Sequence, residues 1–326
     1  MKTMKDIAKA VGTSQATVSR VLSGNMSVNP DVRNAVMECA KKHNFQPNFL
    51  AQSFSANKSL LIGIIVPDIS NPFFADLVLA IEMEAMKYGY SAILCNTNGD
   101  LKKEKYYISI MNRYKADGII MVPRNIEDAF FLRLKDNGIP LVISTLLIDG
   151  FNCVAVSHYD AGFNVARHLS ENGFKKFVFV GGKGDEKEHG FIAGIKDMGH
   201  DIETDYMYID ISARGTMNDR LQPLLSNNII RENCGIFALN DVVALIVLDA
   251  LKENGVKIPD EMGLIGFDDT FIGKQVTPSI SSVAQPVDEI GKLSVELLIE
   301  QMMENNNAPK KVQLESTVVA RATTKK

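Results

Sequence analysis

Apolar residues along the chain change their period once. Up to about residue 57 they recur at helical spacing; from Ser59 they gather into short unbroken runs separated by amphipathic stretches. In the first part, Ile7, Ala8 and Val11 lie at i, i+1 and i+4 and predict a short helix over about 6–11. Gly12 can take the positive φ of a helix C-terminus. Ser14 is placed to cap a second helix over Gln15–Leu22. Its inner face holds Val18, Val21 and Leu22, and its outer face holds Gln15, Ala16, Ser19 and Arg20. Asn29-Pro30 opens a third helix as cap and first-turn proline, with Val32, Val36, Cys39 and Ala40 inward as far as about His43. Pro47 stops regular structure. Residues 48–55 have fair helix propensity but form too short a helix to stand alone in water. They are expected to fold only when something packs on them, with Leu50 and Phe54 on one face.

The run LLIGIIVP (60–67) lacks polar alternation, as a strand buried on both faces does. Strands follow at 91–96, 118–123, 139–144 and 153–156, with helices at about 73–88, 102–114 and 126–137 between them. The alternation then restarts. Helices are expected at 160–172, 188–198, 217–227 and 241–254, and strands at 176–181, 207–210, 235–240 and 263–269. SSVAQP (281–286) leads into a helix at 287–304, and 312–320 supplies final strands. This spacing predicts parallel doubly wound sheets with right-handed crossovers. The expected fold class is an all-α helix-turn-helix head followed by an α/β sensor of two doubly wound parallel-sheet lobes. The expected boundaries are 1–46 for the head and 47–58 for a hinge helix and linker. The sensor lobes take 59–157 plus 286–312 and 158–285 plus 313–324. A cleft between two such lobes suits closure on a small ligand.

Charge sharpens this division. The net charge of −4 hides a head, residues 1–58, with eight Lys/Arg against three Asp/Glu, and a remainder with 27 against 36. A basic end on an acidic body suits a protein that places one end on a polyanion. The chain of 326 residues is long enough for two or three domains. No run of about 18 apolar residues predicts a membrane span. The opening MKTMKDIAKAVG has no apolar core of a secretory signal. We expect a cytoplasmic protein, nucleoid-associated when bound to DNA. Cys39, Cys95, Cys153 and Cys234 are far apart among apolar neighbours and read as structural thiols. The five histidines show no metal-ligand spacing, so neither a metal nor a cofactor is expected.

The outer face of the second helix carries candidate chemistry. Small side chains at its N-terminal end let a helix sink into the major groove, and Gln and Arg carry the donors and acceptors that read base edges. Thr13, Ser14, Thr17 and Ser19 are candidate phosphate contacts. The plain alternative is a helical hairpin with a solvated polar face.

Several blocks extend the reading. MKDIAKAVGTSQATVSRVLSG resembles the opening of the LacI/GalR family of bacterial repressors, and PNFLAQSFSANKS resembles that family's hinge. IGIIVPDISNPFF, ADGIIMVP, FALNDVVALIVLDAL, IPDEMGLIGFDD and PSISSVAQP resemble its sensor blocks in order and spacing. The resemblance implies a periplasmic-binding-protein-like sensor and a homodimer on a pseudopalindromic double-stranded DNA operator, with a small-molecule effector, a sugar or related metabolite, in the cleft. It implies base reading by Gln15, Ala16 and Arg20, and a hinge helix carrying Asn48, Leu50, Ala51 and Phe54 in the minor groove. Where the family usually has Leu, this chain has Phe54, which serves as an apolar wedge or packs against the sensor. The implied effector positions are Asp68, Asn71, Phe73, Phe74, Thr145, His189, Phe191, Ile211, Asn240 and Asp268. Phe191 stands where many members carry an Arg, so the common polyol anchor is missing. Lys183 and Lys187, read as belonging to the loop before that helix, either meet an anionic ligand or are solvated, the second reading being favoured.

Two decoys are set aside. GGKG (181–184) matches neither phosphate-binding glycine pattern and reads as a strand-to-helix turn. Asp268 and Asp269, adjacent at a strand end, point to opposite sides and share no proton site. No nucleophile–base spacing supports an enzyme. Two rivals to an effector-controlled repressor remain: a solute-binding module, and a regulator that answers to a protein partner and leaves its cleft empty. The end of the chain has no heptad pattern, so a dimer is expected and a coiled-coil tetramer is not.

Overall fold

The computed structural model describes residues 3–22, 27–45, 58–123, 134, 138–226, 233–303 and 308–324. The chain divides into two compact units, Met1–Leu60 and Leu61–Lys326.

The first unit is three helices, α1 (Met4–Val11), α2 (Gln15–Leu22) and α3 (Pro30–Lys42). Helix α1 starts two residues earlier than its apolar pattern predicts. Thr3 accepts from the Asp6 amide at 3.2 Å, while the Asp6 carboxylate takes the Thr3 amide at 3.1 Å. This capping box satisfies two free N–H groups of the first turn. Gly12, at φ 72°, closes the helix. Ser14 Oγ then accepts from the Thr17 amide at 3.0 Å and starts α2. Asn29 caps α3 by accepting from the Asp31 amide at 2.8 Å. Ile7, Ala8, Val18, Val21, Val36 and Ala40 are buried together between the three helices.

The second unit holds two six-stranded sheets. The first has the order β11-β5-β4-β3-β1-β2. Its strands are β1 (Leu61–Val66), β2 (Ser91–Asn96), β3 (Gly118–Met121), β4 (Leu141–Ser144), β5 (Asn152–Val156) and β11 (Lys311–Leu314). The second has the order β12-β10-β9-β8-β6-β7. It comprises β6 (Lys176–Gly181), β7 (Tyr206–Asp210), β8 (Cys234–Ala238), β9 (Met262–Asp268), β10 (Ser281–Ala284) and β12 (Thr317–Val319). All pairings are parallel except β10 with β12. The last stretch, 312–320, is therefore two strands, one for each sheet.

Period-two alternation sends successive residues of these strands to opposite faces. Ile62, Ile64 and Val66 pack into one core and Ile65 into another. Val178 and Val180 likewise separate from Phe177 and Phe179. The central strands of each sheet are thus buried on both faces, which is why they read as unbroken apolar runs. Helices α4 (Pro72–Lys87), α5 (Leu101–Arg113) and α12 (Val287–Met303) cover the first sheet. Helices α6 (His158–Glu171), α7 (Glu186–Asp197), α9 (Met217–Ser226) and α10 (Asp241–Glu253) cover the second. The short helices α8 (Ile202–Asp205) and α11 (Phe271–Gln275) have too few residues to show an apolar period and were not legible beforehand. The helix expected at 126–137 lies outside the described residues, apart from Leu134.

The chain crosses between the sheets three times: from β5 to α6, from β10 to α12, and from β11 to β12. These crossings define a two-lobed body with a hinge of three segments.

Candidate functional site

On the head, α2 presents Gln15, Ala16 and Arg20 to solvent, while Val18 and Val21 are buried. The exposed set lies on the side away from the core, where a groove-entering helix needs it. Thr13 and Ser19 are half-buried beside it. Ser14 and Thr17 are partly committed to the turn: their hydroxyls lie 2.8 Å apart, and Ser14 also caps α2. Asn48, Leu50, Ala51 and Phe54 lie outside the described residues.

In the second unit, the candidate effector residues separate into a cluster and outliers. The cluster centres on Asp268, at the carboxyl end of β9. Gln285, in the β10–α12 crossing, donates from Nε2 to Asp268 Oδ1 at 2.8 Å. The Asn71 side chain lies close enough to the Asp268 carboxyl to favour its charged form. Asn71 Oδ1 accepts from the Phe73 amide at 3.1 Å as the cap of α4. Asn71 belongs to the first lobe and Asp268 to the second, so the two lobes approach each other at this carboxyl. Burial, with Asp241 nearby, lifts the Asp268 carboxyl to about 7, although Lys187, Gln285 and Asn71 pull it the other way.

Asp268 and Asp269 have φ values of 98° and 52°. Two successive non-glycine residues in this region are strained by about 1–3 kcal/mol each and need external support. Asp241 supplies it. One of its oxygens accepts from the Thr270 amide at 2.6 Å and the Thr270 hydroxyl at 3.0 Å. The other accepts from Ser282 Oγ at 2.6 Å, and Ser282 Oγ in turn takes the Asp269 amide at 3.0 Å. Asp269 pairs with Arg321 and Lys274 at 2.5 and 3.1 Å. The two aspartates therefore serve different surroundings.

Lys187 completes the cluster and departs from the loop position expected of it. It lies in the first turn of α7, only 8% exposed. Its Nζ donates to the Leu239 carbonyl at 3.2 Å and sits 4.5 Å from the centroid of the Phe267 ring. Two close approaches hold it there. A Cβ on Gly190 would come within 1.9 Å of the Tyr159 carbonyl, and one on Gly162 within 2.1 Å of the Lys187 carbonyl. Glycine at both points lets α6 and α7 touch by their backbones, which draws Lys187 inward. His158, at the start of α6, packs edge-on against Phe267 at 5.4 Å. Burial and the nearby Lys187 charge hold its imidazole down at about 3, so it is neutral at ordinary pH. Lys183 is exposed, as a loop lysine should be.

The remaining candidates sit elsewhere. Phe191 is fully buried against Phe177, Phe179 and Phe237, with ring centroids 5.3–6.5 Å away. It belongs to the lobe core and has no surface to offer a ligand, which corrects its placement in the cleft. His189 is exposed; two residues on from Lys187 it stands about 200° round the helix and turns away from the cluster. Phe73 is buried in the first-lobe core and Phe74 packs half-buried beside it. Asn240 spends its Oδ1 capping α10 at 2.9 Å from the Val243 amide. Asp68 accepts from Ser70 within its own turn at 2.7 Å and 3.0 Å. Thr145, at φ 70°, and Ile211 lie at the ends of β4 and β7. Gln285, His158 and Asp241 were not singled out from the sequence. Lys187, one helical turn before Phe191, carried a readable signal, because i and i+4 share a face.

The comparisons with known proteins agree with this build. Residues 3–48 match the family described as bacterial regulatory proteins, lacI family. Residues 166–324 match a periplasmic binding protein-like domain. The chain is 32% identical over 333 residues to the ribose operon repressor of Halalkalibacterium halodurans, covering 100% of this chain and 98% of that one. It is 31% identical over 328 residues to catabolite control protein A of Staphylococcus xylosus, with 99% of each covered. A solved periplasmic binding protein/LacI transcriptional regulator from Alkaliphilus metalliredigens, complexed with D-xylulofuranose, is 29% identical. It aligns with a TM-score of 0.71 over 81% of this chain and 98% of that one. A helix-turn-helix head joined to a two-lobed sensor, matched end to end by such relatives, places the chain in the LacI family of DNA-binding transcriptional regulators.

Proposed function

We propose that the protein is a homodimeric repressor that binds a pseudopalindromic operator and is controlled by a small polar metabolite in the cleft of its second unit. The observation that carries the effector reading is the Asp268 carboxyl at the end of β9, held at 2.8 Å by Gln285 of the β10–α12 crossing, with Asn71 of the first lobe beside it. Burial disfavours the charge of this carboxyl where the lobes approach each other, and a hydroxylated ligand can give it better partners. The relative from A. metalliredigens holds D-xylulofuranose, which supports a ligand of sugar size. Closing or opening the lobes about the three crossings then alters the 47–58 segment. Folding of that segment, pairing with the dimer mate and operator binding become one coupled equilibrium.

The dimer reading rests on an exposed apolar stripe of the first lobe. Leu79, Met83 and Met86 recur at i, i+4 and i+7 on α4, and Leu94 lies on the edge strand β2. Such a face on a single chain marks an association surface.

The test is an operator-binding titration against metabolites with Asp268→Asn beside the parent protein. The expected outcome is loss of the metabolite's effect on operator affinity in the variant. Loss of operator binding itself would assign Asp268 to folding.

A further inference from the structure

The cleft cluster contains a cation that the fold alone does not account for. Lys187 is more than nine-tenths buried. Among the described residues no carboxylate lies within ion-pair distance of its Nζ, which has one carbonyl at 3.2 Å and one ring face at 4.5 Å. Asp268 is close enough to interact with it through space, yet accepts its hydrogen bond from Gln285 at 2.8 Å. An ammonium removed from water without a counter-ion destabilises a fold, and a ring face compensates only in part. Its position in the helix adds to the difficulty. Lys187 is in the first turn of α7, where the helix dipole favours anions and opposes cations.

A second buried group nearby lacks a partner. Gln285 is 8% exposed, and its Oε1 has none among the described residues, although Nε2 of the same amide holds Asp268. The rim of the cleft thus offers a cation at one point and an idle acceptor at another. His158, neutral at ordinary pH, adds no second charge. Leu239, the carbonyl partner of Lys187, follows β8, and α7 follows β6. These are adjacent strands whose connections leave in opposite directions, the position at which open α/β sheets bind ligands.

Building on the effector reading above, we propose that the cleft is specific for a small polyhydroxylated anion, with its carboxylate or phosphate paired to Lys187 and its hydroxyls on Gln285 and Asp268.

The test uses the full-length protein, thermal melts and operator titrations. The probes are matched pairs: D-gluconate with D-glucose, and D-ribose 5-phosphate with D-ribose, together with inorganic phosphate alone. At least one acid is expected to raise Tm by several degrees and to bind at least tenfold more tightly than its neutral counterpart. The gluconate and ribose-phosphate arms separate a carboxylate from a phosphate. Lys187→Met is expected to abolish the preference, and Lys187→Arg to retain it. Lys187→Met is also expected to raise the ligand-free Tm, because it removes a buried charge that has no ion pair. That readout does not depend on having chosen the right acid. Neutral sugars acting as strongly as the acids, no stabilisation by any of the anions, or a lower ligand-free Tm in Lys187→Met would each overturn the anion site. The first of these leaves the effector reading standing. Acids that stabilise the protein through Lys187 without moving operator affinity would instead uphold the site and overturn its effector role.

Discussion

Asp268, the centre of the proposed effector cleft, makes stability depend on pH. Its carboxyl is pushed to about 7 in the fold, against an ordinary value of 3.8. Below the ordinary value it is protonated in both states and has no effect on stability. As pH rises through the window from about 4 to 7, the unfolded chain has lost the proton while the folded chain still holds it, so stability falls with pH. Above about 7 the full penalty is present, with a ceiling of about 4 kcal/mol at 1.36 kcal/mol per pH unit. Asp268→Asn should therefore raise Tm at pH 8 and leave it nearly unchanged at pH 4, as melts at the two pH values would register. His158 acts with the opposite sign. Its imidazole is held at about 3, so protonation opposes folding as pH drops below the ordinary 6.5. On the head, Arg20→Ala should weaken operator binding by roughly 1–3 kcal/mol and relax selectivity at one base pair. A gel-shift panel of single-base operator variants separates that outcome from a uniform loss, which would make Arg20 a phosphate contact.

At the scale of elements, the decisive contact is between α6 and α7. Gly162 and Gly190 allow backbone contact that any Cβ would break. Gly190→Ala should destabilise the second unit by about 3 kcal/mol through overpacking and should push the first turn of α7, with Lys187, toward solvent. Chemical denaturation reads the first effect. Faster reaction of Lys187 with an amine-specific reagent, followed by peptide mass mapping, reads the second. The head depends on its caps. Thr3→Ala removes one side of the capping box and should cost about 1 kcal/mol, measured on the isolated transition of the first unit if it melts separately.

At the scale of the molecule, charge and symmetry matter most. Eight Lys/Arg in residues 1–58 against an acidic remainder should make operator binding fall steeply with salt, with log K linear in log[salt]. A slope near zero in a filter-binding series would contradict phosphate contact by the head. The stripe of Leu79, Met83 and Met86 gives a second whole-molecule test. Met83→Glu places a charge within it and should shift the protein from dimer to monomer in sedimentation, with weaker operator binding because both half-sites are no longer engaged together.

Periodicity by itself determined most of the architecture. The apolar runs at 61–66, 176–181 and 262–268 specify buried parallel strands because the same residues must satisfy two helix layers. The short helices of the head follow from i, i+4 spacing and from caps at Ser14 and Asn29. The residues that resemble family blocks were enough to name Asp268 and Asn71, whose side chains lie near each other. What the sequence withheld were contacts between residues far apart along it. Asp241 and Ser282 are 41 positions apart, yet together they hold the turn that aims Asp268. The fate of Phe191 and Lys187 depends on how far α7 turns and sinks against α6, and two glycines set that depth. A local pattern specifies which face of a helix is apolar. It does not specify how closely another backbone approaches, and here that distance determines whether a lysine lies in solvent or is buried beside Asp268.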